Sequence, residues 1–339
     1  MQMRYKLFGR SGLRVSELSL GTMNFGTDHG WGIDRDASQA VFDAYAEAGG
    51  NFIDTAYHYT DGSSERMVGD FIRADRDNFV VATKYTGSLG TGLARHGNSR
   101  KAMMRMVDES LRRLKIDCID LYHIHFWDYT TPIDEVMRGF DDLVRAGKVH
   151  YIVASDLPAW EVSRANMLAD LRGWAPFVGI QVEYSLVERT PERELLPMAR
   201  TLGLGISAWS PLGGGALVAK QGMRARRHAS PRVDQIADAV QAVAAATGRT
   251  AGQVALAAVR QQTRFGSIIP IVGASSAAQM KDSLGCLDLV LAPEHIESLD
   301  AASRIRLGFP HELLRSPYMR SAAHGGEYER LDNHRAIPD

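Results

Sequence analysis

The chain runs to 339 residues, of which 45% are hydrophobic and 23% charged, the balance of a soluble globular protein. Its 39 Lys and Arg are interspersed with 40 Asp and Glu, for a formal net charge of −1. That excludes the one-signed face a nucleic-acid partner demands, but not a local cluster that grips a small anion. Two cysteines, Cys118 and Cys286, are too few for a disulfide framework and read as core packing. The opening MQMRYKLFGRSGL has neither an apolar run nor a small-residue cleavage site, and no stretch approaches a membrane span. The expected setting is the reducing cytoplasm, with no membrane partner.

In chain order, a hairpin comes first, residues 6–8 and Val15 with a turn at 9–12, predicted to plug one end of the main fold. Short apolar or β-branched runs at 18–20, 51–54, 79–84, 119–125, 149–155, 179–183, 205–209 and 267–269 then read as strands. Helical patterns lie between and after them, near 36–48, 64–75, 99–115, 133–146, 158–170, 193–202, 233–247 with 250–263, and 293–302. Strands alternating with helices of this length make parallel βαβ units, and eight such units predict an α/β fold, a single (β/α)8 TIM barrel. No composition break divides residues 1–339, so one domain is expected. Segments 87–98 and 213–232 and the tail 306–339 fit the scaffold poorly. They are expected as extra loops over the C-terminal face, with the tail over the active site.

Parallel barrel strands deliver their last residues to one rim. Here the runs end in Asp54, Lys84 and His125 on three neighbouring strands, then Ser155 with Asp156, Gln181, and Trp209 with Ser210. Tyr59 follows Asp54 in the next loop. A phenol is a weak acid near neutrality, and an adjacent ammonium makes proton donation easier while Asp54 holds that ammonium. His125 can orient a carbonyl or relay the proton. The group suits protonation of an oxygen that becomes negative as hydride reaches carbon. An isolated Asp–Lys pair or loop tyrosine is more often structural; the coincidence on consecutive strand ends favours chemistry. His123 and His125 share a strand face and could be paired metal ligands, but strands five and six end in Ser155 and Gln181, so further ligands are missing and His123 reads as packed interior.

Asn51-Phe-Ile-Asp54-Thr-Ala-Tyr-His-Tyr59 with Ser64-Glu65, Val81-Ala-Thr-Lys84 and Asp120-Leu-Tyr-His-Ile-His125 together resemble the aldo-keto reductases, in order and over nearly the whole chain. The Gly273-Ala-Ser275…Gln279 pattern resembles the branch that contains bacterial aldo/keto reductases and potassium-channel β subunits. The resemblance implies a catalytic tetrad of Asp54, Tyr59, Lys84 and His125, with Tyr59 as general acid in reduction. It also implies a nicotinamide floor at Gly21, Thr22 and Met23, a carboxamide grip at Ser155 and Gln181, and Trp209 stacked on the ring. Asp156 stands where the family usually has Asn and can only accept hydrogen bonds. Ser210, Pro211, Leu212 and Gly213 resemble the loop under the pyrophosphate, and Gly273, Ser275, Gln279, Asp282 and Ser283 the adenosine end. No G-x-G-x-x-G opens a βαβ unit. Many relatives carry Arg near position 275 and Asn at 283; this chain has neither. NADP(H) is the expected cofactor, with NAD(H) as the alternative. Lys281 and the arginines between 224 and 227 are further sources of charge.

Met23, Phe25, Trp31, Phe126 and Trp127, with Tyr59 and His125, are the expected substrate wall, fit for a small aldehyde, ketone or alcohol with an apolar or ring-bearing body. Two rival classes stay open: a cofactor-sensing regulatory subunit with slow turnover, and a metal-dependent barrel hydrolase using His123 and His125. The sequence sets no oligomeric state.

Overall fold

The computed structural model describes residues 2–87, 89–218 and 230–332; the arginines between 224 and 227 and the last seven residues of the tail lie outside the described residues. β1 (Tyr5–Leu7) and β2 (Arg14–Ser16) form the antiparallel hairpin. Eight strands come after it: β3 (Ser19–Gly21), β4 (Phe52–Asp54), β5 (Val80–Tyr85), β6 (Ile119–Ile124), β7 (Val149–Ser155), β8 (Phe177–Glu183), β9 (Gly205–Trp209) and β10 (Ile268–Val272). They are parallel, and β10 pairs with both β9 and β3 to close the barrel. The expected fold is the observed one.

The surrounding helices are α1 (Arg35–Glu47), α2 (Ser63–Phe71), α3 (Arg100–Leu114), α4 (Ile133–Arg145), α5 (Ala159–Arg172) and α6 (Leu195–Leu202), then α7 (Pro231–Thr247), α8 (Ala251–Arg260), α9 (Ala277–Leu284) and α10 (Pro293–Ser303). Several start where a side chain satisfies a free N–H. Asp34 accepts from Ala37, Ser99 from Ala102, and Thr250 forms a reciprocal cap with Gln253. The tail adds α11 (His311–Leu314) and α12 (Pro317–His324). His311 meets Glu194 at 3.0 Å and Arg193 donates to the Arg306 carbonyl, so this tail rests against the approach to α6. Among the described residues, none of the tail lines the central cavity. Likewise among these, no helix is long and apolar enough to cross a membrane.

Strand β10 extends beyond the expected 267–269. Pro270, which lacks a ladder donor, lies within it. In the barrel that proline pairs with Ala208 of β9, and the strand continues to Val272.

Alternation along the strands divides the interior into layers. Phe52, Val80, Ala82, Leu121, Val153 and Ile269 form an apolar cluster with Phe8 and Val15 of the hairpin. One or two steps further along the same strands come Asp54, Lys84, His123 and Ser155. The barrel is therefore greasy at the plugged end and polar at the other. Phe8 is the plug: a Cβ on Gly179 or Gly205 would lie 2.4 or 2.8 Å from its ring, so β8 and β9 need glycine there. Burying that ring contributes roughly 2–3 kcal/mol. Cys118 is half-buried and Cys286 buried, both as free thiols.

Candidate active site

Lys84 is fully buried and uses all three of its N–H donors. It gives one to Asp54 Oδ1 at 2.6 Å, one to the Thr55 carbonyl at 2.8 Å and one to the Tyr59 hydroxyl at 3.3 Å. Gln181 Nε2 donates to the other Asp54 oxygen at 2.7 Å. Burial works against the ammonium, but Asp54 and Tyr59 outweigh it and hold the lysine pKa above its ordinary value. The site thus keeps a fixed positive charge behind the phenol.

The phenol itself departs from expectation. Burial raises the Tyr59 pKa, Lys84 lowers it, and burial wins. The ammonium acts in the expected direction without making Tyr59 acidic at rest. The phenol therefore holds its proton more tightly than a free tyrosine, with the ammonium 3.3 Å from its oxygen.

The loop carrying Tyr59 is strained and well anchored. Thr60, Asp61 and Gly62 have φ of 45°, 51° and 82°, a run that ordinary side chains rarely adopt. Thr60 Oγ1 donates to the Phe25 carbonyl at 2.5 Å. A Cβ on Gly62 would lie 2.5 Å from Arg113 Nη1. That guanidinium donates to the Tyr57 carbonyl at 2.7 Å and to buried Glu65 at 3.1 Å, and Thr83 of β5 donates to the other Glu65 oxygen. Glu65, the acidic residue of the first motif, therefore ties the Tyr59 loop to α3 and β5.

His125 lies 5.8 Å from Tyr59, ring to ring and edge-on. Burial, then Lys84, then His58 and His123 keep its pKa well below the usual histidine value, so the ring is neutral. His123 is fully buried, and neither of its ring nitrogens has a hydrogen-bond partner. Among the described residues there is no group of three His, Cys, Asp or Glu side chains that could hold a metal ion.

These groups open into a cavity of 540 Å³. Its walls include Gly21, Thr22, Met23, Asp54, Tyr59 and His125, with Ser155, Asp156, Gln181, Trp209, Ser210 and Gly273. Ser155 Oγ is buried without a hydrogen-bond partner, and the side-chain amide oxygen of Gln181, Oε1, is not spent on Asp54. One donor–acceptor and one acceptor, side by side, fit a carboxamide. Thr22 serves the scaffold, bonding the Asp54 carbonyl and Ser64. The indole N–H of Trp209 donates to Asp156 Oδ1 at 3.0 Å.

The cavity continues into a groove of 310 Å³ through Ser210, Gly214, Ile271 and Gly273, with Pro211, Leu212 and Leu256 on its walls. Gly213 does not offer its N–H to this groove, because it donates to the Ser210 carbonyl at 2.8 Å. At the far end Ser276 caps α9, and the Ser275 N–H donates to Gln279 Oε1. Asp282 instead accepts from Thr250 and Gln253 at the start of α8, and Ser283 is buried.

Of the expected substrate wall, Met23, Tyr59 and His125 line the cavity, and Phe126 stands half-exposed against His125 at 5.4 Å. Phe25 does not belong to it. Its N–H turns back onto the Thr22 carbonyl, and its ring is fully buried against Phe71. Trp31 stacks on His29, and Trp127 packs against the core; neither lines the cavity. The sequence reading misses His58, Asn24, Gly214 and Ile271, which do line it. His58 lies 5.0 Å from His125, and a Cβ on Gly87 would clash with it at 2.1 Å. The signal for His58 is its place beside Tyr59, masked by two flanking tyrosines.

The profile of the Aldo/keto reductase family matches residues 17–304. Norsolorinic acid reductase B of Dothistroma septosporum is 35% identical over 338 residues, covering 92% of this chain and 85% of that protein. Aryl-alcohol dehydrogenase [NADP(+)] of Phanerodontia chrysosporium is 35% identical over 365 residues, covering 96% and 93%. Norsolorinic acid reductase of Aspergillus flavus is 36% identical over 325 residues, covering 91% and 83%. The chain belongs to the aldo/keto reductase family and is a nicotinamide-dependent oxidoreductase acting on carbonyl and alcohol groups.

Proposed function

We propose that this protein reduces an aryl-bearing aldehyde or ketone to the alcohol with NADPH, Tyr59 acting as general acid. The observation that carries the proposal is the unbroken chain Asp54–Lys84–Tyr59 at the wall of a cavity that also exposes an unpartnered Ser155 hydroxyl. A reduced nicotinamide, when bound, supplies the hydride. Ser155 and Gln181 would hold its carboxamide, Trp209 would stack on the ring, and Gly21–Met23 would form the floor.

Neutral His125 orients the substrate carbonyl by donating one ring N–H, and it does not need to carry a proton. As the carbonyl oxygen gains charge, Tyr59 gives it the phenolic proton, and Lys84 holds the phenolate that results. Asp54 keeps the ammonium in place and offsets its burial. Alcohol oxidation runs through the same groups in reverse, with the Tyr59 phenolate as base.

The aryl preference rests on the apolar walls and on relatives whose names carry an aryl alcohol and norsolorinic acid. The preference for NADP(H) rests on the relative named for NADP(+). Gly273, Ser275 and Gln279 would meet the adenosine end, while Asp282 and Ser283 would support it from behind. The test is consumption of NADPH and NADH with benzaldehydes, aryl ketones, short aliphatic aldehydes and keto-sugars. Faster turnover of aryl carbonyls with NADPH supports the proposal; turnover of none of them with either cofactor overturns it.

A further inference from the structure

Asp156 stands at the end of β7 with φ of 50°, in the left-handed region that Asp and Asn tolerate better than most residues. Its N–H donates to the Gln181 carbonyl at 3.2 Å, and its Oδ1 accepts the Trp209 indole N–H at 3.0 Å. The backbone of Asp156 is thus tied to the strand of Gln181, and its carboxylate to the residue assigned above to the ring face. The carboxylate is also close enough to the reacting end of the cavity for Tyr59 to feel its charge.

We infer that Asp156 biases the cofactor site toward the oxidised nicotinamide, which carries a positive charge, over the reduced one, which is neutral. This rests on the reading that the cavity holds the nicotinamide. The effect is Coulombic. A fixed negative charge in the wall interacts favourably with the pyridinium and gains nothing comparable from the dihydropyridine. The phosphates and the adenosine are the same in both forms, so their contributions cancel in the ratio of the two dissociation constants. Asp156 stands exposed at the cavity mouth, so solvent screens the effect and a ratio change of about fivefold is expected. A residue of this kind sets which direction of the reaction has the tighter cofactor complex and acts as a positioning residue for Trp209.

The experiment measures dissociation constants of NADP+ and NADPH by calorimetry for the wild type and for Asp156→Asn. Asn keeps an acceptor for the indole and tolerates the same backbone. The expected result is that the variant loses affinity for NADP+ relative to NADPH by about fivefold. Raising the salt concentration should move the wild-type ratio toward that of the variant. Parallel weakening of both forms, or an unchanged ratio, overturns the inference and leaves Asp156 only a support for Trp209. Failure of both cofactor forms to bind the wild type would instead remove the nicotinamide reading itself.

Discussion

Replacing Lys84 by Met removes the ammonium while keeping an unbranched chain of similar length. Both partners of the ion pair are buried, with side-chain exposures of 0% for Lys84 and 4% for Asp54. The substitution strands a carboxylate that still receives one hydrogen bond, from Gln181 at 2.7 Å. Breaking a buried pair from one side costs about 3–5 kcal/mol, and the surviving bond argues for the lower end, about 3. Adding Asp54→Asn removes the stranded charge, so the double variant should recover about 2 kcal/mol of that loss. The assay is equilibrium unfolding in urea followed by circular dichroism, for the wild type, both single variants and the double. A Lys84→Met protein within about 1 kcal/mol of the wild type, or a double variant no more stable than that single one, would refute the reasoning.

Phe25→Ala should behave as a core truncation, costing about 3–5 kcal/mol in unfolding free energy. Its kcat/KM values for small and large aldehydes should change by a common factor, whereas a wall residue would alter their ratio. Acid should destabilise the fold through its neutral histidines. Burial, Lys84 and His29 lower the His58 pKa to about 4. Below about pH 6.5 the unfolded chain takes up a proton that the folded one refuses, so the stability contributed above that pH is lost as it falls toward 4. Unfolding midpoints taken between pH 7 and pH 4 should fall less steeply for His58→Gln than for the wild type.

The barrel is legible in the sequence because its period is simple. Inward positions alternate along each strand, so Phe52 and Asp54, or Ala82 and Lys84, reveal a greasy layer below a polar one. The tetrad is legible because three of its members end apolar runs and Tyr59 comes shortly after one of them. The end of β10 is less legible, since the fold accommodates Pro270 within the strand although it has no ladder donor. The loops are harder. Nothing in Gly21-Thr-Met-Asn-Phe25 tells which side chain faces the cavity, since that depends on a turn that sends Phe25 inward and leaves Met23 at the mouth. The same holds for Asp282, whose partners Thr250 and Gln253 lie on another helix. The acidity of Tyr59 departs from expectation for an energetic reason: a sequence shows the lysine beside the phenol but not the burial that outweighs it.

The central claim is that Tyr59 donates the proton, and Tyr59→Phe tests it most directly because it deletes one oxygen from an otherwise unchanged pocket. Single-turnover reduction of an aryl aldehyde should fall by about two to four orders of magnitude, while the dissociation constant for NADPH changes less than about threefold. Turnover near the wild-type rate in that variant would contradict the account.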